Sequence, residues 1–226
     1  MKARGTGKPR ALHEWRLSPK EAVLLQERLR PKVIYRGAVR PLRWVAGVDV
    51  AYKDGGARAR AAVVVCRWPE MEVLEERVAE EPVRFPYVPG LLSFREAPAA
   101  LAALSKLSHP IDCLLVDGQG RAHPRRFGLA CHLGLWTGRP TIGCAKSRLY
   151  GRVSSPGPEK GSREPLVDAD GEVLGSAVTT RDRCKPLYVS VGHRVSLEEA
   201  VEIVLACCRR TKHPEPLRLA DRLSKA

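Results

Sequence analysis

The sequence of 226 residues is long enough to bury a substantial hydrophobic core, and no linker-like tract divides it. Its 39 Lys and Arg residues exceed its 25 Asp and Glu residues, which gives a formal net charge of +14. This charge favours a polyanionic partner, and nucleic acid is the leading candidate, although a solubilising surface would give the same charge. The seven cysteines include no C-x-x-C pair, which argues against a structural zinc site. The sequence shows neither a secretory signal nor an apolar stretch long enough to cross a bilayer. We therefore expect a cytoplasmic protein with reduced thiols and no membrane partner.

The N-terminal part of the sequence predicts a basic arm followed by one domain. Lys and Arg residues lie among glycines and prolines in residues 1–12. We therefore expect residues 1–14 to form a flexible basic arm and residues 15–226 to form a single domain. Ser18 begins a capping box with a proline at the first helical position, which predicts a helix ending near Arg30.

The next segments predict a three-stranded meander. Residues 44–52, 60–67 and 71–79 are strand-like and are separated by turn residues. The first strand contains Asp49 among apolar neighbours, where an unpaired carboxylate would be costly to bury. A charge placed there needs a partner, and a cation is the obvious one.

A proline loop, residues 85–92, follows the meander. Pro86 and Pro89 hold Tyr87 and Val88 in a stiff, extended segment that presents an aromatic ring beside an apolar side chain. Such a tip suits stacking on nucleic-acid bases or wedging between them. The alternative interpretation is a tyrosine that packs back on its own core.

Glu96 belongs to the helical stretch that follows this loop. It is a candidate acid, but it also completes a capping box with Ser93, so a purely local role explains it as well. Pro98 leaves the start of the helix open, whereas residues 100–107 are predicted to be helical.

A short apolar run ends abruptly at Asp117. Residues 111–116 predict a strand buried on both faces, as in a sheet covered by helices. Asp117 is followed by glycines that let the backbone approach a ligand closely, and His123 brings a further charge to the same turn. This acid is either a metal or catalytic residue or the cap of a loop, and the stretch alone favours neither.

The following segment predicts a helix and then a strand. The helix runs from Pro124 to Gly138, and the strand covers residues 141–145. The strand delivers Lys146 and Ser147 to a loop, where they could contact phosphate or simply be solvated.

The C-terminal segments predict a hairpin, a strand and two helices. The hairpin covers residues 165–179, and the strand covers residues 187–191. Ser196 begins an amphipathic helix with a capping box. A last helix over residues 217–225 places Asp221 at the margin of its apolar face, between core and solvent.

The order of the acids resembles that of a known fold. An acid in the meander, one in the first long helix, one at the end of the buried strand and one in a late helix resemble the ribonuclease H-like nucleases. The resemblance implies an α/β fold with a mixed central sheet flanked by helices.

Six local segments are similar to motifs of the endonuclease V family. They are residues 46–52, 86–96, 117–124, 143–151, 186–193 and 218–221. Because these separate motifs occur in the family's order, the resemblance spans roughly residues 15–225.

The resemblance implies a deaminated-base repair nuclease. It would recognise inosine, whose base is hypoxanthine, and hydrolyse the second phosphodiester bond on the 3′ side of the lesion, leaving 3′-hydroxyl and 5′-phosphate ends. The implied metal-binding and catalytic acids are Asp49, Glu96, Asp117 and Asp221. Converging carboxylates repel one another unless divalent cations lie between them, and Mg²⁺, with Mn²⁺ able to substitute, prefers oxygen ligands. One ion would activate the attacking water and the other would stabilise the leaving 3′ oxygen.

The same resemblance implies a set of nucleic-acid contacts. Lys146 would be catalytic, contacting the scissile phosphate or orienting the water, and His123 would support the phosphate side. The proline loop would fill the gap when the lesion base leaves the stack, and Gly90 would let the backbone reach that base. The implied nucleic-acid-binding residues are Pro86, Tyr87, Val88, Pro89, Gly90, Leu91, Leu92, His123, Lys146 and Ser147.

Three alternatives stay open. The substrate could be inosine in RNA rather than in DNA. The chain could instead be a non-catalytic nucleic-acid-binding module that uses its basic surface and Tyr87, or a metal-free small-molecule enzyme of the same fold. We expect inosine-containing DNA, or RNA, as the partner of a monomeric protein.

Overall fold

The computed structural model describes residues 12–226, which form one mixed eight-stranded sheet and five α-helices. The strands are β1 (Trp44–Lys53), β2 (Arg58–Arg67), β3 (Glu72–Pro82), β4 (Cys113–Val116), β5 (Thr141–Ala145), β6 (Arg163–Val167), β7 (Val173–Val178) and β8 (Leu187–His193). The helices are α1 (Pro19–Leu29), α2 (Leu92–Leu104), α3 (Leu129–Thr137), α4 (Leu197–Cys207) and α5 (Glu215–Lys225).

The strand order in the sheet is β3-β2-β1-β4-β5-β8-β7-β6. Strands β1 to β3 form the predicted antiparallel meander, and β4 and β5 extend the sheet in parallel with β1. Strands β8, β7 and β6 complete it by antiparallel pairing, and β6 with β7 is the predicted hairpin. The expected mixed central sheet is confirmed.

Each face of the sheet carries a layer of helices. On β1, Ala46 and Val48 belong to an apolar cluster with α2 and α3, whereas Val45 belongs to a cluster with α4 and α5 on the opposite face. This alternation is the normal consequence of the pleat, since successive side chains point to opposite faces. Helices therefore flank the sheet on both sides, as predicted.

Helix α5 lies directly on β1 and runs in the same direction. A Cβ atom at Gly47 would lie 2.4 Å from the carbonyl carbon of Pro216, so only glycine admits this approach. Two turns further along α5, Ser224 Oγ donates a hydrogen bond to Asp49 Oδ2 at 2.7 Å. The close approach at Gly47 thus brings the C-terminal half of α5 over Asp49.

The predicted start of α3 is wrong. The helix begins at Leu129 rather than at Pro124, because Arg126 has a φ of 57°, which is a left-handed conformation that an α-helix cannot contain. The Arg126 guanidinium forms an ion pair with the buried Asp168, which holds the segment away from helical geometry. The predicted end is confirmed, since Gly138 adopts the left-handed conformation of a helix terminus.

Helix α2 also differs from the prediction at both ends. It begins at Leu92 and continues through Pro98, which lies inside the helix rather than at its boundary. It ends at Leu104, so the last residues of the predicted 100–107 helix fall outside it.

Most of the predicted basic arm, residues 1–11, lies outside the described residues. Of the remaining arm residues, His13 packs edge-on against the rings of Trp15 and Trp136, with centroid distances of 4.5 and 5.1 Å, and these two rings stack on each other. Its Nε2 atom lies 2.7 Å from Nε2 of the buried His132. This contact fixes the start of the described chain against α3.

The seven cysteines all carry free thiols, and only Cys184 is partly exposed. Their burial agrees with the prediction that the cysteines lie in the core. Among residues 12–226, no helix combines the length and the apolar character that crossing a membrane requires.

Candidate active site

Three of the predicted acids meet at one point. Asp49 in β1, Asp117 after β4 and Asp221 in α5 each offer one carboxylate oxygen, and these oxygens lie within 4.8 Å of one another. Asp49 is buried, whereas the other two are partly exposed. The group therefore opens to solvent on one side.

The parallel register of β1 and β4 aligns two of these acids. Val48 pairs with Val116, so Asp49 and Asp117 are the next residues of neighbouring strands. The Asp117 amide donates a hydrogen bond to the Val48 carbonyl at 3.1 Å, which continues the ladder by one step. Helix α5 supplies the third acid. Asp221 lies one turn before Ser224, whose hydroxyl donates a hydrogen bond to Asp49.

Burial raises the pKa of Asp49 to about 6. The hydrogen bond from Ser224 opposes this shift, and the neighbouring Asp117 carboxylate adds to it. The site is therefore short of positive charge around Asp49.

Glu96 lies beside the three aspartates but outside their 4.8 Å group. Its Oε1 accepts a hydrogen bond from the Tyr52 hydroxyl at 3.0 Å. Burial raises the pKa of Glu96 to about 8 against this hydrogen bond, with Asp49 and Asp117 adding to the increase. The predicted capping box with Ser93 is wrong, because α2 begins one residue before Ser93 and Glu96 points to the acids instead.

Lys146 is the cation nearest to these carboxylates. Its Nζ lies 2.5 Å from Asp117 Oδ2 and 3.2 Å from Asp221 Oδ1. Burial would lower the pKa of Lys146, but the hydrogen bonds and charges of the two aspartates outweigh it and raise the pKa. Lys225 makes a second contact with Asp221 at 2.8 Å. The exposed Ser147 follows Lys146 on the same loop.

The donor set matches the chemistry of a hard divalent cation. The three clustered donors are carboxylate oxygens, and among the described residues this group includes neither cysteine nor histidine. Mg²⁺ and Mn²⁺ favour oxygen ligands, whereas soft ions favour sulfur. The raised pKa values of Asp49 and Glu96 also indicate that an added cation would be stabilised there.

The proline loop presents its tyrosine to solvent. Tyr87 is 73% exposed, so the alternative that it packs on the core is wrong. Phe85 and Leu91 are buried in a core cluster, and Val88 packs against the same cluster. The loop is therefore anchored at both ends and free at its tip, where Pro86 and Pro89 are also exposed, and Leu92, the first residue of α2, is exposed as well.

Three donors converge on the carbonyl oxygen of Gly90. Gln26 Nε2 lies at 3.1 Å, His123 Nε2 at 2.9 Å and Arg125 Nη2 at 2.8 Å. Gln26 is almost fully buried, and its Oε1 accepts a hydrogen bond from Arg125 Nε at 2.5 Å. A Cβ atom at Gly90, where φ is 79°, would lie 2.8 Å from the Arg125 guanidinium. These contacts thus hold the backbone at Gly90 in place.

His123 belongs to this support and not to the carboxylate group. Burial lowers the pKa of His123 to about 4, so the imidazole is neutral. Its Nδ1 accepts a hydrogen bond from the Arg125 amide, which leaves Nε2 as the donor to Gly90. The structure therefore places His123 beneath the proline loop.

Four residues of this arrangement, including Arg125, were not predicted from the sequence. Ser224 lies one turn after Asp221, and that helical spacing was an available signal. Gln26 occupies a position on the apolar face of α1, where a polar residue indicates a buried partner. The contact of Tyr52 with Glu96 has no comparable signal, because it joins two elements distant in sequence.

A family model described as Endonuclease V matches residues 27–222 of the chain. The chain belongs to the endonuclease V family. An endonuclease V from Roseiflexus castenholzii is 51% identical over 218 residues, which cover 96% of each chain. The crystal structure of endonuclease V from Streptomyces avermitilis is 44% identical, with a TM-score of 0.88 over 93% of each chain.

Endonuclease V proteins are nucleases, so this chain is a hydrolase that acts on phosphodiester bonds. The predicted ribonuclease H-like α/β fold is confirmed by the same structural neighbours. A variant endonuclease V from Ciona intestinalis, 30% identical with a TM-score of 0.80 over 92% of this chain and 97% of its own, is bound to a 23mer DNA containing an inosine followed by a ribo-adenosine.

Proposed function

We propose that this endonuclease V recognises inosine in nucleic acid and hydrolyses the second phosphodiester bond on the 3′ side of the lesion, leaving 3′-hydroxyl and 5′-phosphate ends. The observation that carries the proposal is the cluster of three aspartates beside an anchored loop with an exposed tyrosine. The inosine-containing DNA bound by the Ciona intestinalis relative supports the choice of lesion.

Asp49, Asp117 and Asp221, with Glu96 beside them, would hold Mg²⁺ or Mn²⁺. When bound, the divalent cation lowers the pKa of a water molecule and offsets negative charge on the leaving oxygen. Ser224 orients the Asp49 carboxylate, and Tyr52 orients Glu96. Fixed carboxylates of this kind need little rearrangement during the reaction.

Lys146 would act on the substrate phosphate. Its ammonium group lies within 3.2 Å of two carboxylates and is about half exposed, so an incoming phosphate oxygen can reach it. A lysine there neutralises charge on the scissile phosphate or orients the attacking water. Ser147, the exposed next residue, would contact the adjoining backbone.

The proline loop would replace the lesion base in the stack. Its exposed tip, Pro86 to Pro89, is stiff and carries Tyr87, and an aromatic ring can stack on the bases that remain. The extruded base would meet the backbone near Gly90, whose position is held by His123. Hypoxanthine offers an acceptor at O6 and a donor at N1, the reverse of adenine, so fixed backbone groups can distinguish the two bases.

Cleavage of matched oligonucleotides tests this function. Two strands that differ only in inosine or adenine at one position are incubated with Mg²⁺ or with a chelator. We expect cleavage of the inosine strand alone, in Mg²⁺ alone, at the second bond on its 3′ side. Equal cleavage of both strands would sink the proposal.

The variant Asp117→Ala separates catalysis from binding. Removing one of three clustered carboxylates should lower the cleavage rate by about a thousandfold or more, while the affinity for the inosine strand stays close to that of the wild type. A gel cleavage assay and fluorescence anisotropy measure the two quantities. A non-catalytic binding module would give no cleavage in either protein.

Inosine in RNA is the second candidate substrate. The Ciona intestinalis relative is bound to DNA in which a ribonucleotide follows the inosine. Parallel assays on DNA and RNA strands of the same sequence decide which substrate the enzyme prefers.

A further inference from the structure

A second cavity adjoins the catalytic pocket. The catalytic pocket has a volume of about 200 Å³, and its lining includes Lys146, His213 and Arg218. The neighbouring cavity, which we name the distal groove, has a volume of about 460 Å³, and its lining includes Glu70, Arg209, Arg210, Glu215 and Arg218. Arg218 lines both, so the distal groove and the catalytic pocket lie side by side.

The proline loop and the distal groove lie at opposite ends of the meander. The proline loop follows Pro82, which pairs with Arg58 at one end of β2. Glu70 of the distal groove lies in the turn at the other end, beside the start of β1 at Trp44. Asp49 lies between these ends, in the middle of β1.

The geometry of β1 gives the distance between Asp49 and the end of the meander where the distal groove lies. From Asp49 to Trp44 β1 spans five residues, which at 3.3 Å per residue correspond to roughly 17 Å. Helix α5 covers the part of this interval between Gly47 and Asp49, since it approaches β1 at Gly47 and ends over Asp49. The far end of the distal groove, at Glu70, is thus roughly 17 Å from Asp49, which corresponds to about five base-pair steps along the axis of a duplex, at about 3.4 Å per step.

The charge in the distal groove favours an anionic occupant, since its three arginines outnumber its two glutamates, Glu70 and Glu215. Glu215 forms a two-point ion pair with Arg218, at 2.9 and 2.5 Å, so its charge is largely neutralised. Arg209 donates a hydrogen bond to the Pro69 carbonyl, and this contact joins the loop between α4 and α5 to the β2–β3 turn. Arg210 is exposed, and within residues 12–226 it forms neither an ion pair nor a side-chain hydrogen bond.

Arg210 faces into the groove. Arg218 first, and Arg210 in addition, hold the pKa of Glu215 below its ordinary value against the effect of burial. A guanidinium in this place, without a carboxylate of its own, is suited to a phosphate oxygen.

We propose that the distal groove binds the nucleic-acid backbone on the 3′ side of the cleavage site, with Arg210 contacting a phosphate roughly five nucleotides beyond the scissile bond. The inference rests on the proposed function, because cleavage on the 3′ side of the lesion fixes the direction of the strand. The strand passes the proline loop first, then the catalytic pocket, and then the distal groove.

Affinity measured against the length of the 3′ flank tests this path. Inosine strands with about two or about ten nucleotides beyond the scissile bond are bound in the presence of chelator, so that they stay intact. For the wild type we expect about tenfold tighter binding of the long flank, as for one charge-assisted hydrogen bond. Arg210→Gln should bind both strands as the wild type binds the short one, and its salt slope should fall by about 1.

Arg163→Gln is the matched control. Arg163 is an exposed residue of β6, at the far edge of the sheet, and its replacement removes the same charge. We expect it to keep the gain in affinity with flank length. A gain that survives in Arg210→Gln, or an Arg210→Gln loss that is equal for both flanks, overturns the inference.

The same samples distinguish this outcome from failure of the proposed function. If the wild type does not cleave the long inosine strand in Mg²⁺, both ideas fail together. If it cleaves that strand at the expected bond but shows no dependence of affinity on flank length, only the distal-groove inference fails.

Discussion

Tyr87 exposes its ring at a position where folding gains nothing from it. Its neighbours Phe85 and Leu91 carry the apolar contacts that anchor the proline loop. An aromatic ring left in water by a well-anchored loop points to a role in binding rather than in stability. This separation of roles within one short segment makes the residue a clean target for substitution.

Tyr87→Ala should weaken binding of the inosine strand by about tenfold to a hundredfold, because base stacking on an aromatic ring is worth roughly 1–3 kcal/mol. The Tm should stay unchanged, since the side chain is 73% exposed. Tyr87→Phe keeps the ring and should retain most of the affinity. Fluorescence anisotropy and thermal melting measure these effects, and unchanged affinity in Tyr87→Ala would contradict the stacking role.

At the scale of elements, α1 and the loop after β4 together support the proline loop. Gln26 comes from α1, His123 and Arg125 come from the loop, and all three donate to the Gly90 carbonyl. Because a carbonyl oxygen has two lone pairs, this acceptor is saturated. The position of the proline loop is therefore set by side chains outside the carboxylate group, two of which come from the loop that begins with Asp117.

Gln26→Leu should reduce the preference for inosine over adenine in cleavage. The substitution removes one donor to Gly90 and leaves Arg125 Nε without its acceptor, at a cost of about 1–3 kcal/mol in stability. Val204→Ala, in the apolar cluster on the other face, is a control that loses stability without touching this network. An inosine preference reduced equally in both variants would show a general effect of stability.

Glu75 ties β3 to the segment that follows α2. Burial disfavours its charge, but hydrogen bonds from the amides of His109 and Ser108 and the charge of Arg77 outweigh burial and lower the pKa of Glu75. A carboxylate with a lowered pKa contributes stability above its unfolded pKa, and this contribution is lost as the pH falls through the folded pKa.

Glu75→Gln should therefore cost about 1–3 kcal/mol of unfolding free energy at neutral pH. The difference from the wild type should shrink below about pH 4, where the unfolded-state carboxyl titrates. Urea unfolding at neutral pH and at about pH 3 measures it. A difference that is the same at both pH values would rule out the charge as its source.

At the scale of the whole molecule, the site depends on how closely α5 approaches β1. Gly47→Ala would place a methyl group 2.4 Å from the Pro216 carbonyl carbon. We expect a loss of about 3 kcal/mol in stability, together with a smaller increase of Tm on addition of Mg²⁺, because Asp221 would move away from Asp49. Urea unfolding and melting with and without Mg²⁺ test this, and wild-type values for both would refute it.

Much of this molecule follows from local sequence patterns. Residues 44–52 and 141–145 predict their strands because apolar and β-branched residues lie between turn signals, and Ser18 predicts the start of α1. The start of α3 could not be predicted in this way, because the ion pair of Arg126 with Asp168 overrides the local preference.

The candidate site also combines features that local sequence patterns predict with features that depend on contacts between distant segments. Asp49 and Asp117 stand out in sequence because each interrupts an apolar strand, but their alignment depends on the pairing of β1 with β4. The placement of His123 beneath Gly90 depends on packing between segments distant in the chain, which no local pattern reports. Local patterns therefore predict which residues are chemically special, whereas the meeting of Asp49, Asp117 and Asp221 is implied only by the resemblance to the family.

The hydrogen bond between Ser224 and Asp49 joins residues that are 175 positions apart. Contacts of such high sequence separation form late, since the entropy of closing a long loop has to be overcome first. A partly folded chain can therefore bind nucleic acid through its excess of Lys and Arg while its acids are still apart. We therefore expect cleavage to require the completed fold, since Asp221 reaches Asp49 only when α5 has docked on β1.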